Sequence, residues 1–364
     1  MRRMHIDLPV ALSAVIGDNI AYRSLRPQRA GLAFVPPAPL PRKIDAAYGA
    51  AVWALLQQLQ ALTHPTVALQ RILVLGDNAG TDGVMFGHLR PFVAHAAALI
   101  VDETGGPPTL QPPVDGLAHA DGWAMVARWA TLLAQQGFVV DAATAVVLDV
   151  DKTLLGPKGR NARVIDEARG AAMAAVIREF VGEQWQADAF AEAQYTFNTA
   201  RFHPFTGDNQ DWVAVLCLLT QTGVLPLATL ADAILAGAFP TPAALVAHAL
   251  RTPLNTALRT LLTSIHARTL AGDPTPFKAF REREYRETVA RFNLTAALAP
   301  AERLQREICV CGEALAQAHR WRDAGALLLA LSDKPDEAAL PTAALAAQGF
   351  VPIHQLPTHV VTLD

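Results

Sequence analysis

The chain has 364 residues, of which 52% are hydrophobic and 17% charged, and its formal net charge is −3. This length is enough for about two domains, and the apolar content excludes a largely disordered protein. The small net charge and the lack of a basic run argue against a nucleic-acid-binding surface. The longest weakly charged stretch, Val213–Ala231, is interrupted by Gly223 and Pro226 and predicts buried helix and turn, not a membrane span. The first residues lack a signal-peptide pattern, so we expect a cytoplasmic protein.

Residues 1–42 contain many prolines, which predicts an irregular arm with one strand at Gly31–Val35. After the arm, helical and strand-like apolar patterns alternate. In chain order they predict a helix at Ile44–Leu62, a strand at Arg71–Leu75, a further helix, a strand at Ala96–Val101, a loop at Gly105–Pro113, a helix at about 121–136 and a strand at 145–150. Such alternation is typical of an α/β fold with a Rossmann-like parallel sheet and helices on both faces.

Residues 155–300 show one helical pattern after another, with almost no β-branched run, and predict a large all-helical domain. Alternation then returns, so the helical domain interrupts the sheet. The returning elements are a helix at about 301–321, a strand at Ala326–Leu331, a helix at 336–347 and a final strand near His359–Leu363. The predicted domains are an α/β core built from residues 1–154 and 301–364, with 155–300 inserted between its two parts.

The most informative segment is an apolar strand that ends in two closely spaced acids, Asp149 and Asp151, followed by Thr153. Carboxylates this close at the end of a buried strand repel each other unless a cation holds them, which predicts a metal site and a charged substrate. One carboxylate could attack phosphorus while the other transfers a proton. The structural alternative is a strand-end turn with helix-capping aspartates.

Two other predicted strands also end in polar groups. The strand at Arg71–Leu75 is followed by Gly76 and Asp77, with Asp82 five residues later, and these acids could complete a metal site. The strand before Ser332 ends in that hydroxyl, which also fits a helix N-cap, and a capping serine is compatible with phosphate binding. In open α/β sheets, ligands bind at the carboxyl ends of the strands.

Together, these residues resemble the haloacid dehalogenase-like (HAD) hydrolase superfamily. Its first motif is an apolar strand that ends in Asp-x-Asp-x-Thr, and the segment from Asp149 to Thr153 matches it. Its second motif is a strand that ends in serine or threonine, matched by Ser332. Its last motif is Gly-Asp with an acid four or five residues later, matched by Asp77 and Asp82.

The resemblance implies a magnesium-dependent phosphohydrolase that forms an aspartyl-phosphate intermediate. It also implies a role for individual residues. Asp149 is then the nucleophile, and Asp151 is the general acid and base. The Mg²⁺ ion is held by Asp77, Asp149 and the backbone carbonyl of Asp151, with Asp82 beside them. The phosphate oxygens are held by Thr153, Ser332 and a lysine. The family lysine precedes the last motif by a helix and a strand, where Lys43 stands, but Lys334 is close to Ser332 and is the alternative.

The order of the motifs departs from the family pattern, because the lysine and the last motif precede the first motif. A circular permutation is the simplest explanation, and the helical insertion then occupies the position of the family cap. A phosphotransferase, a dehalogenase of the same superfamily, or a non-catalytic binding or scaffold protein remain alternatives. The expected partner is a small phosphorylated molecule. The sequence does not indicate an oligomeric state.

Overall fold

The computed structural model describes residues 4–363, which form two compact units. The first unit contains the described residues up to Glu167 and those from Thr288 onward, and the second is Ala168–Glu287. The strands are β1 (Met4–Val10), β2 (Ile20–Ala21), β3 (Arg71–Gly76), β4 (His95–Val101), β5 (Thr109–Leu110), β6 (Leu117–Asp121), β7 (Thr144–Asp149), β8 (Val310–Cys311), β9 (Leu327–Leu331) and β10 (Thr358–Leu363).

Helices make up most of the remaining regular structure. They are α1 (Ser13–Ile16), α2 (Ala46–Thr63), α3 (Val84–Leu89), α4 (Met125–Gln135), α5 (Ala162–Val181), α6 (Ala187–Phe197), α7 (His203–Thr206), α8 (Gln210–Gln221), α9 (Leu227–Leu235), α10 (Pro242–Ala249), α11 (Thr256–Leu270), α12 (Lys278–Val289), α13 (Pro300–Arg306), α14 (Gly312–Asp323) and α15 (Ala343–Ala346). None of these helices combines the length and the apolar character needed to cross a membrane.

A seven-stranded, mostly parallel sheet forms the centre of the first unit. Its strand order is β2-β9-β7-β3-β4-β6-β5, and only β5 runs antiparallel to its neighbour. In the register of the sheet, Asp149 lies opposite Leu331, and Leu148 lies opposite Leu75. The carboxyl ends of β9, β7 and β3 therefore meet at one edge of the sheet. The α/β fold with a largely parallel sheet agrees with the prediction from the alternating pattern.

The central strands are buried on both faces. On one face, α2 residues such as Leu55 pack in one apolar cluster with Ile72 of β3 and Val147 of β7. The opposite-facing residues of the same strands, such as Leu73 and Val146, are also buried. Burial on both faces explains why these strands read as continuous apolar runs and not as alternating patterns.

A smaller sheet in the first unit has the order β1-β10-β8. In this sheet β1 and β10 are antiparallel neighbours, and Met4 lies opposite Leu363. The final strand was predicted to return to the main sheet, which is wrong. It exists at Thr358–Leu363, but it pairs with β1 and β8, and the main-sheet position beside β9 is taken by β2.

The second unit, Ala168–Glu287, is helical and contains no strand. The insertion was predicted over 155–300, but residues 155–167 and 288–300 belong to the first unit. Leu155 forms a β-bridge with Val310, and the Asn161 side chain donates to the carbonyls of Leu304 and Glu307 at 2.6 and 2.9 Å. These contacts bind the chain on each side of the insertion to the first unit.

Three further element predictions need correction. Residues 31–35 form no regular strand, and the strands of the arm are β1 and β2. The helix predicted at 301–321 is two helices, α13 and α14, because the residues between them form β8 and pair with β10. The helix predicted at 336–347 is α-helical only at Ala343–Ala346.

His354 provides a test of the packing in the first unit. The ring is buried, and its Nδ1 lies 2.9 Å from the Tyr22 hydroxyl. Burial lowers the pKa of His354 from 6.5 to about 4. Between these values only the unfolded chain binds the proton, so the free energy of unfolding should fall as the pH is lowered from 6.5 towards 4. Replacing His354 by Gln should reduce the loss of stability between neutral and acidic pH by roughly 2 kcal/mol in urea unfolding.

The exposed His95 of β4 provides the control, since His95→Gln should keep the wild-type pH dependence. A His354→Gln protein with the wild-type slope of unfolding free energy against pH would show that His354 is not the group responsible.

Candidate metal centre

Asp149 is the last residue of β7 and is 5% exposed. The chain then turns sharply, because Lys152 adopts a positive φ of 67° and its N–H donates to the Leu155 carbonyl at 2.7 Å. A positive φ is uncommon outside glycine and permits this reversal. The turn leaves the Asp151 side chain 21% exposed, so one of the two acids is buried while its neighbour is accessible to water.

The neighbouring strand β3 ends at Gly76, and a π-helical turn, Ala79–Gly83, brings Asp82 back against the strand end. Asp82 Oδ2 accepts hydrogen bonds from the N–H groups of Asp77 and Asn78, both at 3.2 Å. A Cβ atom at Gly76 would lie 2.4 Å from Asp82 Oδ2. Only glycine therefore permits this close approach of Asp82.

Lys43 joins the two strand ends. It is 3% exposed, and its Nζ donates to Asp82 Oδ1 at 2.8 Å and to Asp149 Oδ1 at 2.6 Å. The ammonium thus fixes the orientation of the carboxylate on β7 relative to the one that follows β3. Without it, two buried carboxylates would face each other with no counter-charge at this position.

Asp77, Asp82 and Asp149 each offer a carboxylate oxygen within 4.8 Å of the others. Lys43, together with Lys158, which is shared between Asp77 and the half-exposed Asp102, offsets only part of this negative charge, so a divalent cation would stabilise the cluster. Asp149 Oδ2 is buried and has no hydrogen-bond partner among the residues that the structure describes. Carboxylate oxygens are the ligands that Mg²⁺ prefers, and the side chains of these three aspartates would hold it.

Burial also changes the ionisation of this cluster. It raises the pKa of Asp149 well above its usual range, although Lys43 opposes the rise. Burial, together with the nearby Asp82 carboxylate, raises the pKa of Asp77 to about 6. Burial alone would lower the pKa of Lys43, but the attraction of Asp149 and Asp82 outweighs it and raises that pKa. The lysine remains a cation, while the acids are costly to ionise without a further positive charge.

The candidate phosphate ligands lie on β9 and on the turn after β7. Thr153 Oγ is buried and has no hydrogen-bond partner in the described part of the chain, so it is available to a ligand. Ser332 Oγ accepts a hydrogen bond from the N–H of Lys334 at 2.9 Å, which closes a turn. The alternative of a helix N-cap is wrong, because the helical turn that follows begins at Asp336 with Pro335 at its N-cap. Lys334 Nζ lies 3.8 Å from Asp151 Oδ2.

The structure therefore brings four of the predicted site residues together: Lys43, Asp77, Asp82 and Asp149. The Asp151 carboxylate is outside the group of three acids, next to Lys334, and the role of its backbone carbonyl as a metal ligand stays a prediction. Lys43 contacts carboxylates, and which lysine contacts a phosphate also stays a prediction.

Sequence reasoning missed Lys158. Its Nζ donates to the Asp77 carbonyl at 2.9 Å and lies 3.7 Å from Asp77 Oδ2 and 3.5 Å from Asp102 Oδ2. The available signal was the pair of glycines, Gly156 and Gly159, that flank this lysine shortly after the first motif. Both glycines have positive φ angles, 59° and 79°, which glycine adopts without the steric cost that other residues have.

Comparisons with known proteins add no relative, since no protein-family model, curated protein or solved structure matches the chain. The geometry of the strand ends is therefore what the functional argument rests on.

The contact between Gly76 and Asp82 gives a direct test of the centre. A Gly76→Ala substitution should displace the Asp82 carboxylate, because the added methyl group overlaps it. We expect a loss of about 1–3 kcal/mol in the free energy of unfolding and weaker Mg²⁺ binding in calorimetry. Gly87 is the matched control, since it lies on α3 with nothing within 4 Å of an added Cβ. Equal effects of Gly76→Ala and Gly87→Ala would contradict the close packing of Asp82.

Removing Lys43 tests the charge balance. Lys43→Met leaves Asp82 and Asp149 buried without their shared cation, which typically costs about 3–5 kcal/mol of stability. Mg²⁺ should restore part of this loss because it offsets the same negative charges, and urea unfolding with and without Mg²⁺ measures both effects. The control Lys152→Met removes a partly exposed pair with Asp166 and should cost less than about 1 kcal/mol. A Lys43→Met protein as stable as the control would show that the buried pairs do not contribute.

Proposed function

We propose that the protein is a magnesium-dependent phosphohydrolase that acts on a phosphate monoester through an aspartyl-phosphate intermediate at Asp149. The observation that carries the proposal is the unequal environment of the two Asp149 oxygens. Oδ1 is bonded to Lys43, whereas the buried Oδ2 has no partner among the described residues. A buried carboxylate oxygen without a hydrogen bond is costly, and such groups are concentrated at functional sites. This oxygen is suited to attack phosphorus.

The carboxylates on the two sides of the turn after β7 can divide the chemistry between them. In the first step, Asp149 Oδ2 forms a bond to phosphorus as the bond from phosphorus to the leaving oxygen breaks, and protonated Asp151 donates its proton to that oxygen. In the second step, ionised Asp151 takes a proton from water, and the water oxygen attacks phosphorus. The bond to Asp149 then breaks and releases inorganic phosphate. The partial exposure of Asp151 supports this role because it permits contact with water.

Other residues of the site would orient these groups. Lys43 fixes the Asp149 carboxylate through Oδ1, and Thr153, Ser332 and Lys334 would hold the phosphate oxygens. When bound, Mg²⁺ supplies positive charge that offsets the repulsion between the attacking carboxylate and the phosphate. The excess negative charge of the three clustered aspartates supports a requirement for such an ion.

We further propose that the chain is a circularly permuted member of the HAD superfamily. The three strands that carry the motifs, β7, β9 and β3, are neighbours in one parallel sheet. The helical unit stands between the first and second motifs in the sequence, which is the position of a family cap and the expected origin of substrate selectivity.

Replacing Asp149 by Asn tests the mechanism. The wild-type protein should hydrolyse p-nitrophenyl phosphate with Mg²⁺ and lose this activity when a chelator is added. Asp149→Asn should reduce turnover by at least about 1,000-fold, since loss of a nucleophile removes the covalent route. Wild-type turnover by the Asp149→Asn protein would rule out the proposed mechanism.

Asp208→Asn is the control for this substitution, because Asp208 is an exposed acid of the second unit that is not one of the three clustered aspartates, and it should leave activity unchanged. Release of halide from a haloacid without Mg²⁺ would favour the dehalogenase alternative. A wild-type protein with no Mg²⁺ binding and no activity on a panel of phosphate esters would favour the scaffold alternative.

A further inference from the structure

The loop formed by residues 156–161 follows the first motif and belongs to the first unit. Its backbone is fixed by three hydrogen bonds: Gly156 N–H donates to the Cys309 carbonyl at 2.8 Å, Lys158 N–H donates to the Lys152 carbonyl at 2.7 Å, and the Lys158 carbonyl accepts from Trp123 Nε1 at 3.1 Å. These bonds hold the backbone on both sides of the Lys158 side chain.

Buried polar contacts hold the end of this loop. The Arg160 side chain, 2% exposed, pairs with Glu103 at 2.8 Å and with Glu313 at 3.0 Å. Next to it, Gly159 packs so closely on the chain that an added Cβ would lie 1.7 Å from the Glu103 carbonyl oxygen. A buried arginine held by two carboxylates has little freedom to move, so these contacts restrain the loop that contains it.

This fixed loop places the Lys158 ammonium across the ends of two other strands. It lies 2.9 Å from the carbonyl oxygen and 3.7 Å from Oδ2 of Asp77, which follows β3, and 3.5 Å from Oδ2 of Asp102, which follows β4. Asp102 is half-exposed, whereas the Asp77 side chain is 12% exposed. The ammonium therefore has its shortest contact with the backbone carbonyl of Asp77, a candidate metal ligand, and it lies between the carboxylates of Asp77 and Asp102 at similar distances.

Asp77 needs such a contact. The carboxylate of Asp82 lies in the same cluster and carries the same charge, so the two side chains repel each other. Repulsion by Asp82 favours rotation of the Asp77 carboxylate away from the cluster. The contact with Lys158 opposes this rotation and also holds the carbonyl of the same residue.

We infer that Lys158 is a positioning residue for the metal centre: it holds Asp77 in the orientation that binds a divalent cation, without itself contacting the cation. The inference rests on the proposed function for the presence of the ion. Residues that orient metal ligands typically contribute about 10–100-fold to metal affinity. A purely repulsive lysine would have the opposite effect, because its removal would increase the affinity for a cation.

The test measures the affinity of the full chain for Mn²⁺ by electron paramagnetic resonance and for Mg²⁺ by calorimetry. Lys158→Met should weaken the binding of both ions about 10-fold, and Lys158→Arg should recover part of the loss because it retains a donor and the charge. Lys278→Met is the matched control, since the Lys278 side chain has the same exposure as that of Lys158, pairs with Asp273 at 2.9 Å and belongs to the second unit. Its affinity should stay close to that of the wild-type protein.

Thermal unfolding without added ions identifies any loss of folding, and a stable Lys158→Met protein with weakened binding supports the inference. Unchanged or tighter binding of Mn²⁺ by Lys158→Met would overturn it while leaving the proposed function intact. A wild-type protein that binds Mn²⁺ in a Lys158-dependent manner but hydrolyses no phosphate ester would retain the inference and overturn the proposed function. A wild-type protein that binds neither ion would overturn both.

Discussion

Electrostatic repulsion between Asp77, Asp82 and Asp149 is the constraint on which the rest of the site depends. Parallel strands with aligned ends bring these carboxylates together, and burial removes the water that would otherwise screen them. Lys43 offsets only part of the charge. The repulsion between these buried carboxylates lowers the stability of the folded protein. The proposed binding of a cation and the phosphate chemistry explain why the protein keeps three acids at this position.

The core strands could be predicted from the sequence because burial on both faces produces continuous apolar runs, and the short length of these runs and the turn residues beside them separate them from helices. Arg71–Gly76 and Leu327–Leu331 were found in this way, as was the polar residue after each strand. The shortest strands, such as β2 and β8, could not be found, since two residues carry no periodicity. Their existence depends on partners that are far away in the chain.

The same difference separates the site residues that were predicted from those that were missed. Asp149 and Asp77 follow strands, so a linear motif contains both the residue and its structural position. Lys158 lies in a loop whose conformation depends on contacts of Arg160 with Glu103 and Glu313, which are distant in sequence. The contacts of Lys43 with Asp82 and Asp149 likewise depend on the order of the strands in the sheet. The sequence placed Lys43 at the position of the family lysine, but it could not predict these two contacts.

The position of β9 has a consequence for the order in which the protein folds during synthesis. This strand is formed by Leu327–Leu331, yet it lies between β2 and β7, which are synthesised much earlier. The helical unit, Ala168–Glu287, is continuous in sequence and can fold as soon as it leaves the ribosome. The main sheet cannot be completed until β9 has been synthesised, because β9 occupies the position beside β7. The edge of β7 therefore stays exposed in the nascent chain until β9 has been synthesised, and an exposed strand edge can pair with other chains and aggregate.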